Sequence, residues 1–303
     1  MKKINVLLLL SLISSSFFTI GQETEETPVK RIKISDFILY SGLSLERTNL
    51  GSFNDFRTLA PESELLQNDM SLINQNQGYS YLNNGNFSVL LGIQFSDKNR
   101  TSYSPNPLLR IGLTYSSSSR LSTSNYGEKR SPYDTLASTQ TGNETYIDSV
   151  YTERYSMDYN SEQIQVNASL IFRTDPEARW SLFSGIGFTA GISINSSTGI
   201  HYLSEDWKEE VQSNDGLSVN NQHQDRKIIE DEFETFENET NYGFSAYIPI
   251  GVDFRIGKKK EFWKKTHLFY EVQPTLNVYT IPELGTFNNV NFRHGIGVRM
   301  NLN

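Results

Sequence analysis

Between residues 241 and 260 the sequence NYGFSAYIPIGVDFRIGKKK divides by parity. Tyr242, Phe244, Ala246, Ile248, Ile250, Val252, Phe254 and Ile256 form one apolar series, and Gly243, Ser245, Tyr247, Gly251, Asp253 and Arg255 stand between them. Successive side chains of a β-strand point to opposite faces, so alternation this long marks a strand whose two faces meet different media. A soluble sandwich strand would turn its polar face to bulk water and would seldom spend glycine there, since glycine weakens a strand. Glycine mixed with charges of both signs fits the crowded interior of a small closed sheet with a greasy outside.

The same alternation recurs in eight segments, roughly 34–46, 86–96, 107–118, 161–173, 179–194, 240–256, 266–279 and 289–302. The fifth is nearly as clean as the sixth: Trp180, Leu182, Ile186, Phe188, Ala190, Ile192 and Ile194 against Gly185, Gly187, Thr189, Gly191 and Ser193. Each segment meets the roughly 9 to 11 residues a tilted membrane strand requires, and an even count suits antiparallel closure. The connections sort by length. DKNRTSYSPN, TDPEA and GKKKEFWKK are short, whereas long polar stretches separate strands one and two, three and four, and five and six. The expected fold is therefore all-β: an eight-stranded antiparallel transmembrane β-barrel with short periplasmic turns and long external loops.

Residues 1–21 read as a removed signal peptide, with Lys2 and Lys3, an apolar run too short and too broken by Ser14, Ser15 and Ser16 to span a membrane, and a small-residue cleavage site before Gln22. Residues 22–33 are expected to form a periplasmic N-terminal segment and 34–303 the barrel. The chain has no cysteine, which excludes disulfides, thiolate metal sites and thiol nucleophiles. Its formal charge is −8, falling by two more to −10 once Lys2 and Lys3 leave, and this argues against a nucleic-acid partner.

In strand number, loop sorting and leader, residues 34–302 resemble the eight-stranded outer-membrane barrels of the OmpA and OmpX type common among Bacteroidota. The resemblance implies a non-enzymatic envelope protein acting through its loops, with outer-membrane lipid and the barrel-assembly machinery as partners. It departs from the family at the end of the chain, Met300-Asn301-Leu302-Asn303, where many such barrels carry a terminal aromatic residue. No peptidoglycan-binding tail like that of OmpA is expected.

By parity Arg110, Asp253, Arg255, Glu271, Arg293 and Arg299 point inward, with Glu46 at the outer end of strand one. Glu271 is expected between Arg255 and Arg299, and Glu46 against Arg293 across the seam, as a structural ionic plug; the alternative is a narrow ion path. His294 and Ser41 share the outward face, but an acyl hydrolase would also need a carboxylate there, and Ile296 occupies the position where the HxS spacing of lipid A deacylases has serine. Trp180, Trp263, Lys258 and Lys264 read as membrane-interface anchors on the periplasmic side.

In the loops, Ile229, Phe233 and Phe236 fit one face of a short helix within an acidic stretch, Glu230-Asp231-Glu232-Phe233-Glu234, that lacks EF-hand ligand spacing. Residues 53–69 are expected to form a small helix, broken at Pro61, whose Phe53, Phe56, Leu65 and Leu66 cover the barrel mouth. The sequons at Asn86, Asn143 and Asn167 are compositional coincidences. No cofactor, metal site or catalytic residue is expected, and the ligand of the external loops is not written in the sequence. The runner-up functions are a lipid-modifying barrel enzyme and a small-solute channel.

Overall fold

The computed structural model describes residues 31–302 except 48, 69, 71, 77–80, 97–101, 138–143, 176–177 and 212–223. The expected leader and most of the N-terminal segment lie outside the described residues. Twelve strands form one sheet: β1 (Ile32–Arg47), β2 (Asn49–Leu50), β3 (Ile73–Asn76), β4 (Tyr81–Ser96), β5 (Tyr103–Ala137), β6 (Glu144–Arg173), β7 (Trp180–Val211), β8 (Gln224–Glu237), β9 (Tyr242–Tyr247), β10 (Ile250–Arg255), β11 (Thr266–Ile281) and β12 (Gly285–Asn301). The order β10-β11-β12-β1-β4-β5-β6-β7 closes on itself because β7 also pairs with β9 and β10. Counting β9 and β10 as the two halves of one strand, eight antiparallel strands make a ring.

The ring reproduces the alternation. Ile250, Leu268, Ile296, Phe188 and Val166 are exposed on its outside, while Asp253, Glu271, Thr189 and Gln165 are buried within. No described helix is long and apolar enough to cross a membrane. Between β4 and β5, β6 and β7, and β10 and β11 the chain turns at one end of the ring, the last turn carrying helix α2 (Glu261–Lys265).

At the other end the structure corrects the loop expectation. The stretches following the third strand and preceding the fourth do not leave the sheet: β5 and β6 stay paired from Leu108↔Ile171 to Ala137↔Glu144. β5 is 35 residues long, β6 30 and β7 32. At roughly 3.3 Å per residue, the part of β5 beyond Ser118 spans on the order of 60 Å. The alternation fades toward its far end, where side chains of both parities are exposed from Ser131 to Ala137, while the tyrosines, threonines and valines retain a preference for the pleated backbone. Register shifts at Ser119/Leu121 and at Glu162/Gln163 mark where the strands leave the ring and bend into this free-standing extension.

The helix expected around residues 229–236 is also overturned, because these residues form β8 against β7 from Ser197↔Glu237 to Lys208↔Gln224. Apolar residues at that spacing fit a short helix and a strand comparably, and the unpaired edge of β7 decides the matter by offering backbone partners. Strand geometry then sends Glu230 and Glu232 to one face and Asp231 to the other, so the acidic run does not converge on a cation.

The helix expected in residues 53–69 is present as α1 (Phe53–Leu59), opened by Ser52 and Asp55 in a capping box, followed after Pro61 by a 3-10 turn at Leu65–Gln67. Phe56, Leu59, Leu65 and Leu66 are buried with Leu121, Tyr155, Met157, Tyr159, Ile200 and Tyr202 in a cluster where the extension rises from the ring. Side-chain bonds clamp it. Glu234 of β8 accepts from Ser63 Oγ at 2.5 Å and from the Glu64 N–H at 3.1 Å, and Asn238 Nδ2 donates to the Leu59 carbonyl at 2.7 Å. Burial pushes the Tyr155 hydroxyl up to about 12, keeping it a donor to the Leu65 carbonyl at 3.3 Å.

Candidate functional site: a layered lumen

β11 gives the axis of the interior. Its inward side chains are His267, Phe269, Glu271, Gln273, Thr275, Asn277, Tyr279 and Ile281, all buried. They run through successive layers, so the strand lists the contents of the lumen from the short-turn end outward.

The first layer is ionic. Arg299 holds Asp253 with two nitrogens, Nε to Oδ2 at 2.9 Å and Nη2 to Oδ1 at 3.2 Å, while Nη1 reaches Asp36 Oδ1 at 2.8 Å. His267 Nδ1 lies 2.5 Å from Asp253 Oδ1 and 2.9 Å from Arg299 Nη2. Every member is buried, and Ser35 Oγ donates to the remaining Asp36 oxygen at 2.6 Å. Such geometry is what allows charges to be taken out of water, since unpaired they would carry a desolvation cost of several kcal/mol each.

The second layer is apolar: Ile38, Tyr40, Leu90, Leu108, Ile171, Phe183 and Phe269. Its rings explain the glycines on the inward face. Phe183 is paired with Gly251, Phe269 with Gly297 and Tyr247 with Gly187. A Cβ built on each glycine would stand 2.3 Å, 2.2 Å and 2.2 Å from the facing ring. Glycine here provides the floor on which an inward ring lies flat across the neighbouring strand, the close approach for which strand glycines are used. Gly187→Ala is accordingly expected to destabilise the fold by about 1 to 3 kcal/mol, the range for overpacking. Denaturant titration in micelles reads this, and the paired change with Tyr247→Leu should recover much of the loss.

Above the rings, Arg110 Nη1 meets Glu271 Oε2 at 2.7 Å and the guanidinium lies over Phe183 and Phe269 at 5.0 and 5.6 Å. Gln273 Nε2 donates to the other Glu271 oxygen at 2.6 Å, and Tyr247 donates to Asn167 at 2.7 Å. The space left among Tyr40, Asn86, Arg110, Tyr247, Glu271 and Arg293 is about 10 Å³. Further out Arg293 bonds Asn277 at 3.0 Å, and Asn241 joins Tyr159, Ser161, Ser196 and Gln163 in a buried amide hub. Arg120 stacks over Tyr279 at 4.9 Å, beneath the cluster built on α1.

Arg110, Asp253, Glu271, Arg293 and Arg299 are all buried, but they are not paired as expected. Glu271 is level with Gly295, whereas Arg299 and Arg255 are both level with His267, four residues further down. At roughly 3.3 Å per residue that is about 13 Å, beyond contact. Glu271 instead finds Arg110 on a strand it does not touch, across a lumen narrow enough for opposite walls to meet. Arg255 is half-buried at the rim, and its Nε has no hydrogen-bond partner among the described residues. Arg293 stands opposite Ser44 at the seam; the side chain of Glu46 lies outside the described residues. Asp36 and His267 were missed, yet counting back by twos from Tyr40 and from Glu271 reaches both.

On the outer face, Ser41 is paired with Ile296 and His294 with Leu43, and the nearest ring to His294 is Tyr270 at 6.4 Å. Trp180, Trp263, Lys258 and Lys264 are exposed at the short-turn end; Trp180 packs on Phe254 with ring centres 4.3 Å apart, and Lys264 pairs with Glu261 at 2.8 Å.

No family model matches this chain, and no curated protein matches it. Among solved structures it is similar to Neisserial surface protein A (NspA), at 11% identity over 90% of this chain and 98% of that one, TM-score 0.26. It is also similar to OccK2 (OpdF) of Pseudomonas aeruginosa, solved in complex with glucuronate, at 8% identity over 89% of this chain and 97% of that one, TM-score 0.13. A third is OmpT of Vibrio cholerae, an outer membrane protein, at 8% identity over 90% of this chain and 100% of that one, TM-score 0.13.

Proposed function

We propose that this chain is a non-enzymatic outer-membrane β-barrel that carries a tall external sheet as a surface-recognition element and passes no solute. The observation that carries the reading is the contrast between the two faces of the closed ring: apolar residues ring the outside, and the inside is filled by successive ionic, aromatic and amide layers. An exposed apolar belt on a closed sheet belongs in a bilayer, the only solvent that favours it. The filled lumen argues against the channel reading, since eight strands enclose little more than their own side chains. Against the acyl-hydrolase reading, no hydrogen bond or ion pair joins His294 to a carboxylate among the described residues.

In this reading the short turns face the periplasm and the extension faces out. Its edge strand β8 is exposed on both faces from Arg226 to Phe233 and rich in carboxylates, which keeps neighbouring copies from pairing edge to edge while leaving the surface open to a partner. Membrane fractionation should place the protein in the outer membrane, and protease added to whole cells should cut the extension while sparing the ring. Purified protein in planar bilayers should give only small, flickering conductance, and proteoliposomes should not swell in small sugars. Steady porin-sized conductance from a verified monomer would establish the channel reading in its place.

A further inference from the structure

The turn between β10 and β11 is basic in an acidic protein. From Lys258 to Lys265 five of eight residues are lysine, with one carboxylate, Glu261, already paired to Lys264. Directly beside this turn the outer wall is indented. A groove of about 450 Å³ runs over β10, β11, β12 and β1, with Val252, Leu268, Val298 and Leu39 among its walls and Trp180 and Phe254 at its end. Its volume falls within the roughly 300 to 1,000 Å³ of ligand sites, and its walls offer almost nothing polar. Arg179 joins the two features: its guanidinium sits over the Phe254 ring at 5.0 Å, and its own carbonyl accepts from the Arg255 N–H at 2.9 Å, where β10 leaves for the lysine turn.

We infer that this groove holds one anionic phospholipid of the inner leaflet, an acyl chain lying along Val298 and Leu268 and the phosphate and its anionic headgroup held by Arg179 and the lysine turn. The inference rests on the membrane reading above and goes beyond general interface anchoring by assigning a single bound lipid. Charge complementarity selects the occupant. A neutral or zwitterionic lipid fills the groove equally well but gains nothing from five lysines and an arginine, whereas each basic residue near the surface favours an anionic headgroup. A second copy of the chain would bring the same positive turn against itself.

The test uses the full chain folded into nanodiscs of phosphatidylethanolamine and phosphatidylglycerol, then released into mild detergent for native mass spectrometry. Wild type should retain one phosphatidylglycerol well above its bulk ratio. Combining Arg179→Gln with Lys258→Gln, Lys259→Gln and Lys260→Gln should lower that enrichment by roughly tenfold or more. Val298→Trp, which fills the groove without touching a charge, should strip retained lipid of either kind. Retention at the bulk ratio, an unchanged ratio in the glutamine variant, lipid persisting in Val298→Trp, or a lipid-free dimer would each overturn the assignment. A chain that never enters the nanodisc would overturn the membrane reading instead, so the two failures are distinct.

Discussion

Glu271→Ala is expected to destabilise the protein by about 3 to 5 kcal/mol, the usual cost of removing one partner from a buried ion pair. The cost arises from what remains: Arg110, buried and resting on two aromatic rings, keeps a full positive charge with no carboxylate to answer it. Reversible urea unfolding in lipid or micelles gives the number, and double-mutant cycles give its origin. Glu271 with Arg110 should couple by on the order of 2 kcal/mol, whereas Glu271 with Arg299 should be additive within about 0.5 kcal/mol. Replacing both members of the true pair, Arg110→Met with Glu271→Leu, should regain most of the loss, because apolar side chains of similar volume avoid the desolvation cost altogether. A single Glu271→Ala that costs less than 1 kcal/mol would mean the lumen is wet at this level, contrary to a filled interior.

The second large effect lies outside the ring. Phe56 is fully buried under α1, where its ring approaches Gly51 and Leu121, and Phe56→Ala should cost about 3 to 5 kcal/mol at the cluster. The loss should be local. Hydrogen exchange ought to accelerate at Phe53–Gln67 and at the base of the extension, Leu121 and Tyr155, while β11 and β12 stay protected. Equal acceleration in the ring would show that cap and ring unfold as one unit.

The ring was legible in the sequence because its two faces carry two compositions. Wherever an exposed apolar face backs a packed lumen, as at Phe244, Ile248 and Ile250, parity alone gives both the strand and its facing. The far end of the extension was not legible, since at Ser131, Tyr133 or Leu136 side chains of both parities are exposed and nothing in composition separates a strand from a loop. Interior partners were only half legible. Parity identified Glu271 and Arg110 as inward, but contact across the lumen depends on the ring's diameter and on register, neither of which is local. The helix expected within residues 53–69 begins at Phe53, where the Ser52–Asp55 capping box, a local signal the expectation did not use, fixes its start.

The seam sets a condition on assembly. β1 meets β12 through ten consecutive register pairs, Asp36↔Asn301 to Leu45↔Phe292, so the first strand of the ring waits for the last. Until β12 arrives, the nascent sheet carries two open edges and a half-built ionic layer, with Asp36 presented by the first strand and its partner Arg299 still unplaced. Closure therefore depends on completeness: a chain cut short before β12 would keep both edges bare, open to pairing with other strands, and leave Asp36 without Arg299.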